Sequence, residues 1–261
     1  MTVTTPPLAT YPSGIALLCE DPAQEIAASQ LANEYGFPLI NTPPTHGHAL
    51  CLHAGRLELR EFGRGAAGPV WVDFGGSELK RRTAGGKGLL LAKAVGFKHG
   101  TPSIVDATAG LGRDSFTLAA LGAPVCMIER NPLPAALVAD GLRRAAQDPA
   151  TAEISHRIQF HFGSAQTLLT QWQGEKPDTV LIDPMFPEPT KRAKSKKEMH
   201  AFQTLVGPDL DSDLLLEPAL ALACRRVAVK RPRHAPWLAN QKPDLNYEGE
   251  SVRFDIYLVK A

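Results

Sequence analysis

"PSIVDATAGLGRDSFTLAALGAPVCMIERN", residues 102–131, runs from a short apolar segment through a glycine turn and an amphipathic stretch to a second apolar segment ending in an acid. Ile104 and Val105 are consecutive β-branched residues, as in a strand covered on both faces, while residues 113–121 carry apolar side chains at helical spacing. Gly122 and Pro124 close that helix, and "VCMIE" begins the next strand. A strand, a helix and a strand in this order need a crossover connection, which makes the two strands parallel. The stretch therefore predicts an α/β fold on a mostly parallel sheet with helices on both faces.

The same alternation continues toward the C-terminus. "PLPAALVADGLRRAAQ" and "TLLTQW" read as helices, "RIQFHFGSA" and "DTVLIDPMF" as strands. "SDLLLEPALALA", "RRVAVKRP" and "SVRFDIYLV" follow as one more helix and two more strands. Toward the N-terminus the pattern changes. "GIALLCED" reads as a strand, "PAQEIAASQLANEYG" as a helix opening on proline and closing on glycine, and "ALCLHAGRLELREF" as a strand pair across an "HAG" turn. "GPVWVDF" adds a further predicted strand. These elements predict a small α+β domain over residues 1–80 and a main domain over 81–261. "GGSELKRRTAGGKGLLLAKAVGF" joins them as a glycine-rich, basic segment, and no fixed-period repeat is present.

Composition narrows the function classes. With 261 residues and a formal net charge of +1, the chain is long enough to bury a substantial core. The near-neutral balance hides two basic clusters, Lys191, Arg192, Lys194, Lys196 and Lys197, and Lys80, Arg81 and Arg82, so a nucleic-acid partner stays open. Cys19, Cys51, Cys126 and Cys224 are scattered without the short paired spacing of zinc or redox sites, and read as buried thiols of a reducing compartment. "MTVTTPPLATYPSG" has no apolar segment behind a basic start, and no run approaches the ~20 apolar residues of a membrane span. Cytoplasmic location is the expectation. His46, His48 and His53 fall in "THGHALCLH", which alternates like a strand edge, so no metal site is expected.

In open parallel sheets, ligands bind beyond the carboxyl ends of the strands, so the chemistry should sit at the tips. The first tip offers Asp106, then Gly110 and Gly112, then Arg113 and Asp114 at the helix start. Glycines let the backbone approach a ligand, and a helix start presents unpaired N–H groups, although an ordinary strand-to-helix turn uses glycine in the same way. The second tip places Glu129 23 positions after Asp106, where a carboxylate can accept from both hydroxyls of a ribose. The third tip, "GSA", puts small residues Gly163, Ser164 and Ala165 where an adenine edge could lie. A nucleoside-like ligand fits all three. Ser115 stands where a dinucleotide site has its third glycine, which disfavours a nicotinamide or flavin enzyme, and "AGGKG" lacks the Ser or Thr of a phosphate loop.

The fourth tip, "VLIDPMF", delivers Asp183 from an apolar strand and follows it with Pro184 and Phe186. The amino group of a nucleobase is a poor nucleophile because its lone pair is delocalised into the ring. Asp183 can accept one of its N–H groups, the Pro184 carbonyl the other, and Phe186 can stack on the base. An Asp-Pro-x-aromatic turn thus matches methyl transfer to a base amine.

These motifs resemble the class I S-adenosylmethionine-dependent methyltransferases, with "VDATAGLG" as cofactor loop and "DPMF" as a variant of the Asp-Pro-Pro-aromatic motif, Met185 replacing the second proline. "DATAGLGRDSF", "ERNP", "LIDPMFP", "KKEMHAFQTLVGPDLD", "LLEPA", "VAVKRP" and "RFDIY" together resemble the RsmJ family, from about residue 75 onward. The resemblance implies a Rossmann-like methyltransferase sheet and transfer from S-adenosylmethionine to the 2-amino group of a guanine in 16S ribosomal RNA. It implies cofactor contacts from Arg113, Asp114, Glu129, Arg130, Ser164, Ala165 and Asp183, with Ala165 contributing backbone only. Asp106, Gly110 and Gly112 join that set from the reading of the first tip.

Residues 191–197 follow the motif directly and are expected at the RNA backbone, together with Lys230 and Arg231 of "VAVKRPRHAPW". The small ribosomal subunit or its free RNA is the expected partner. Adenine or cytosine amines in RNA or DNA could use the same motif, and a non-catalytic RNA-binding protein would need neither Glu129 nor Asp183. Asp183 either only orients the amine or also takes its proton; the residues permit both.

Overall fold

The computed structural model describes residues 14–185, 202 and 204–260. They divide into two compact units, one of residues 14–72, 131–140, 202 and 204–207, the other of residues 73–130, 141–185 and 208–260.

The first unit is built on a four-stranded sheet of order β2-β1-β3-β4, from β1 (Ala16–Cys19), β2 (Leu39–Ile40), β3 (Gly47–His53) and β4 (Arg56–Phe62). Helix α1 (Glu25–Tyr35) carries the chain from β1 to β2, which pair in parallel. It ends where Gly36 turns left-handed at φ 76° and returns its N–H to Ala32 O. β3 and β4 form the expected antiparallel hairpin, with Ala54 and Gly55 as its loop. β2 is two residues long and carries no readable alternation. "GPVWVDF" does not form the expected strand. Val70 meets Leu59 in an isolated antiparallel bridge, each N–H donating to the other's carbonyl.

The second unit holds a seven-stranded sheet of order β10-β11-β9-β8-β5-β6-β7. Its elements are α2 (Gly76–Thr83), α3 (Leu90–Val95), β5 (Ile104–Asp106), α4 (Arg113–Ala120), β6 (Val125–Glu129), α5 (Pro132–Gln147) and α6 (Ala152–Ser155). Then come β7 (Ile158–Phe162), α7 (Ala165–Thr170), β8 (Thr179–Ile182), α8 (Leu216–Leu222), β9 (Arg226–Pro232), β10 (Leu245–Glu248) and β11 (Val252–Leu258). β5 through β9 run parallel, and only β11 is antiparallel to its neighbours. The mostly parallel sheet is thus as expected; β10, with its polar "LNYE", was not read in advance.

Strand periodicity distributes the side chains. Val180 and Ile182 of β8 and Val227 and Val229 of β9 enter one core with Leu169 of α7 and Ala219 and Leu222 of α8. The alternate residues point to the other face, where Thr179 Oγ donates to Val95 O of α3 at 2.9 Å. The chain leaves β5 toward β6 on one side and returns to β8 on the other, so a topological switch lies between β5 and β8. In such sheets that crevice is the binding position.

The division between units is not a single cut after residue 80. The first half of α5 groups with the four-stranded sheet, where Asp140 Oδ2 accepts from Leu57 N at 3.1 Å. Reading in chain order assigns a helix to the strands flanking it, which hides such a grouping. The cysteines also differ from expectation: Cys51 and Cys126 are buried, Cys19 is half-buried and Cys224 is exposed.

Candidate active site

The tips of β5 and β8 are tied across the switch. Ala107 N donates to Leu181 O at 2.9 Å, and Asp183 N donates to Thr108 Oγ1 at 2.6 Å. Asp106 is 3% exposed and accepts from Thr108 N at 3.1 Å and from Ser115 Oγ at 2.6 Å. Burial pushes its carboxyl up to about 7 against those two hydrogen bonds, and the nearby charges of Asp114 and Asp183 add to the rise. Asp106 thus braces the turn it begins. Gly110 and Gly112 take φ 54° and 70°, and a Cβ on Gly112 would lie 3.1 Å from Phe74 Cζ. Only glycine fits there without displacing the ring.

The second and third tips join the same network. Glu129, at the end of β6, is buried, and its Oε2 accepts from Gly110 N at 2.8 Å. Gly163 N donates to Glu129 O at 2.9 Å, Ser164 is exposed at the start of α7, and Ala165 is buried in the core beneath it. A carboxylate, a glycine backbone and a small polar turn are therefore held together, which is the donor and acceptor set a nucleoside ligand needs.

Asp183 occupies the switch itself. Ile182 registers with Val229, so Asp183 and Lys230 fall side by side on the face that α3 and α4 cover. Lys230 Nζ donates to Asp183 Oδ2 at 2.7 Å and to Asp114 Oδ2 at 2.8 Å, and Arg82 Nη2 donates to Asp114 Oδ1 at 2.8 Å. A chain of alternating charge, Arg82–Asp114–Lys230–Asp183, thus runs from α2 to the end of β8. Burial alone would lower the Lys230 ammonium; Asp183 and Asp114 more than reverse it, so it stays protonated. Burial alone would raise Asp114, but Lys230 and Arg82 hold it below the usual carboxylate range. Burial also pushes the Asp183 carboxyl up, with Lys230 opposing and Asp114 adding; the 36% of its side chain left exposed tempers that rise.

Pro184 is buried, and Met185 is held by Asp209, whose Oδ2 accepts from Met185 N at 2.8 Å and whose N donates to Met185 O at 3.0 Å. Arg130, expected at the cofactor, places Nη2 on Asp209 and Nη1 on Asp211, and this pairing holds its guanidinium above its ordinary value. Arg113 is exposed at the start of α4.

Of the expected RNA contacts, Lys191, Arg192, Lys194, Lys196 and Lys197 lie outside the described residues, as does Phe186. Lys230 faces the two aspartates, and Arg231 is 3% exposed with Nε and Nη2 donating to Pro236 O. Neither lies on an open phosphate-binding surface, because neighbours on a strand point to opposite faces and both faces of β9 are covered. Arg233, two residues on, is exposed and pairs with Glu248. Sequence reading missed Arg82, Thr108, Ser115, Asp209 and Asp211. Thr108 lies inside the glycine-turn motif and the two acids inside "GPDLD", so their positions were visible but not their partners. Among the described residues no group of three or more His, Cys, Asp or Glu could hold a metal ion, and no helix is long and apolar enough to cross a membrane.

Comparison with known proteins agrees with this geometry. Residues 30–259 match the family model described as "Putative SAM-dependent methyltransferase". The ribosomal RNA small subunit methyltransferase J of Aeromonas hydrophila is 49% identical over 94% of this chain and 98% of its own length, and that of Vibrio parahaemolyticus is 47% identical over 95% and 98%. The crystal structure of a SAM-dependent methyltransferase from Neisseria gonorrhoeae superposes with a TM-score of 0.75 at 39% identity, covering 94% of this chain and 96% of that one. The glycine turn, the acid at the second tip and the Asp-Pro turn at the switch therefore belong to an S-adenosylmethionine-dependent enzyme, and the chain is a member of the small subunit methyltransferase J family.

Proposed function

We propose that this enzyme methylates the exocyclic 2-amino group of a guanine in 16S ribosomal RNA, working in the cytoplasm on the RNA or the small subunit. The observation that carries the reading is the position of Asp183, a partly open carboxylate at the topological switch, fastened to the glycine turn through Thr108. The relatives' names supply ribosomal RNA as substrate, and the RsmJ resemblance supplies the guanine amine.

Bound S-adenosylmethionine supplies a methyl group on a positively charged sulfur, already activated for attack. Glu129 would accept from the ribose hydroxyls, the Gly110–Gly112 backbone would lie against the ligand, and Arg113, Asp114 and Ser164 would line its remaining edges. Ala165, buried by its side chain, would contribute backbone only. Asp106 and Arg130 would act one step back, bracing the turn and the Asp209 loop. Asp183 would accept one N–H of the amine and the Pro184 carbonyl the other, with Phe186 stacked on the base and residues 191–197 on the phosphates. Catalysis of this kind is mainly positioning, which contributes on the order of 7–11 kcal/mol.

The test supplies the purified enzyme with methyl-labelled S-adenosylmethionine and small-subunit RNA lacking the modification, free and assembled, and maps the label by mass spectrometry. Label on a guanine 2-amino group is expected, with kcat falling on the order of 100-fold or more in Asp183→Ala. Label on adenine or cytosine would replace the base assignment, and near-normal turnover of Asp183→Ala would overturn the role of Asp183.

A further inference from the structure

Among the described residues, Lys230 is the expected RNA contact that the fold brings to the tip of β8 beside Asp183. It is three-quarters buried, and its ammonium bridges Asp183 Oδ2 and Asp114 Oδ2. A lysine with two of its three N–H donors on carboxylates, and its charge offset by both, is poorly placed to hold a phosphate. Among the described residues Asp183 Oδ1 receives no hydrogen bond.

We propose that Lys230 is a positioning residue that occupies one oxygen of Asp183, holding the carboxylate ionised and turned so that Oδ1 receives the substrate amine. The inference rests on the reading of Asp183 as amine acceptor and deepens it. Every group facing Asp183 bears on the argument. Lys230 from β9 is the cation; Asp114 from α4, Asp106 at the end of β5 and Asp209 from the loop before α8 are acids, and Arg82 from α2 reaches the cluster through Asp114. Three acids around a fourth would drive it toward its protonated form, and a protonated carboxyl can turn its O–H toward the amine and tie up the lone pair that must attack. Lys230 opposes this through its ion pair at Oδ2.

The same contact fixes where the proton goes. As the amine nitrogen attacks, the new nitrogen–carbon bond forms while the carbon–sulfur bond breaks and its electron pair stays on sulfur. The methylated nitrogen then carries one proton too many. Lys230 is already protonated and takes none, and the Asp183 oxygen it bridges is already occupied by its N–H. The proton leaves to water, and Asp183 orients without exchanging it.

The test measures kcat against pH from 5 to 9.5 at saturating S-adenosylmethionine and ribosomal RNA, for the full-length wild type, Lys230→Met and Lys230→Arg. Lys230→Met is expected to lose on the order of 10-fold or more of kcat at pH 7 and to regain most of it toward pH 9, a new acidic limb from an Asp183 no longer held ionised. KM for RNA and Kd for S-adenosylmethionine should stay within about 3-fold, and Lys230→Arg should restore the wild-type pH dependence. A Lys230→Met profile parallel to the wild type, or a loss confined to cofactor affinity, would overturn the proposal. If Lys230→Met does not fold, Lys230→Gln carries the same test: it keeps a donor for Asp183 Oδ2 without the charge, so the acidic limb is expected again, and a profile parallel to the wild type overturns the proposal. A wild type that transfers no methyl to ribosomal RNA overturns the functional reading as well, whereas an active wild type with unchanged variant profiles overturns Lys230 alone.

Discussion

Gly55 in the β3–β4 hairpin and Gly112 at the start of α4 adopt nearly the same backbone, φ 76° and φ 70°, yet they are glycines for different reasons. At Gly55 nothing lies within 4 Å of the place a Cβ would take, so only the backbone conformation demands glycine. At Gly112 the same conformation is combined with a crowded wall, Phe74 Cζ at 3.1 Å and Met127 Cε and Sδ at 3.4 Å. One turn closes a hairpin; the other packs against the core behind it and would bring backbone close to the proposed cofactor. A left-handed glycine by itself therefore says little about function, and its surroundings decide.

The contrast is broken most forcefully by giving both positions a methyl group. Gly112→Ala is expected to lose about 3 kcal/mol of stability, from the strained backbone and from overpacking against Phe74. The ring cannot retreat easily, because it stacks on Phe116 with centroids 4.3 Å apart and planes 7° off parallel. The turn should shift toward the cofactor, raising the S-adenosylmethionine Kd by on the order of 10-fold or more at temperatures where the variant is folded. Urea unfolding with calorimetric titration checks both, and an unchanged Kd would show that the turn does not touch the cofactor.

The turn at Gly112 also depends on a support that periodicity could not reveal. Asp106, Glu129 and Asp183 were legible because each ends an apolar run, where an acid has no reason to be unless the tip needs it. Their partners were not. Lys230 is 47 residues from Asp183 and 116 from Asp114, so only the register of β9 on β8 makes them neighbours. Read along the chain, "KRPR" was a basic patch; folded, Lys230 faces the aspartates and Arg231 binds Pro236 O on the opposite side of the strand. The partners of Arg130 were hidden for the same reason, since Asp209 and Asp211 reach it from some 80 residues away. In the smaller sheet, β2 was too short to show alternation, and "GPVWVDF" is apolar enough to read as a strand where the fold has an isolated bridge.

Asp106 sharpens the comparison through pH. Its folded carboxyl titrates near 7, well above the ordinary carboxylate value of 3.8, so between those values the folded protein binds a proton that the unfolded chain has released. Stability is therefore full at low pH and falls as pH rises through about 7, beyond which this group adds no further slope. Asp106→Asn keeps the shape and cannot ionise. The variant should gain on the wild type by about 2 kcal/mol between pH 5 and pH 8 in urea unfolding without cofactor. Parallel stability curves would mean that the acid bracing the Gly112 turn is ionised at neutral pH.

The hairpin turn should respond least. His53 and Arg56 are the last paired residues of β3 and β4, leaving Ala54 and Gly55 as a two-residue loop with φ 48° and 76°. Two positive φ values match the right-handed twist of the flanking strands, and the sequence that favours them is Asn-Gly. Gly55→Ala is expected to cost about 1 kcal/mol, the backbone penalty alone, because the added methyl meets open space. S-adenosylmethionine affinity and turnover per folded molecule should not change, since Gly55 is no part of the proposed cofactor site. A loss as large as that of Gly112→Ala, or a raised Kd, would show that the left-handed backbone accounts for the whole effect at both turns and that the wall of Phe74 and Met127 contributes nothing.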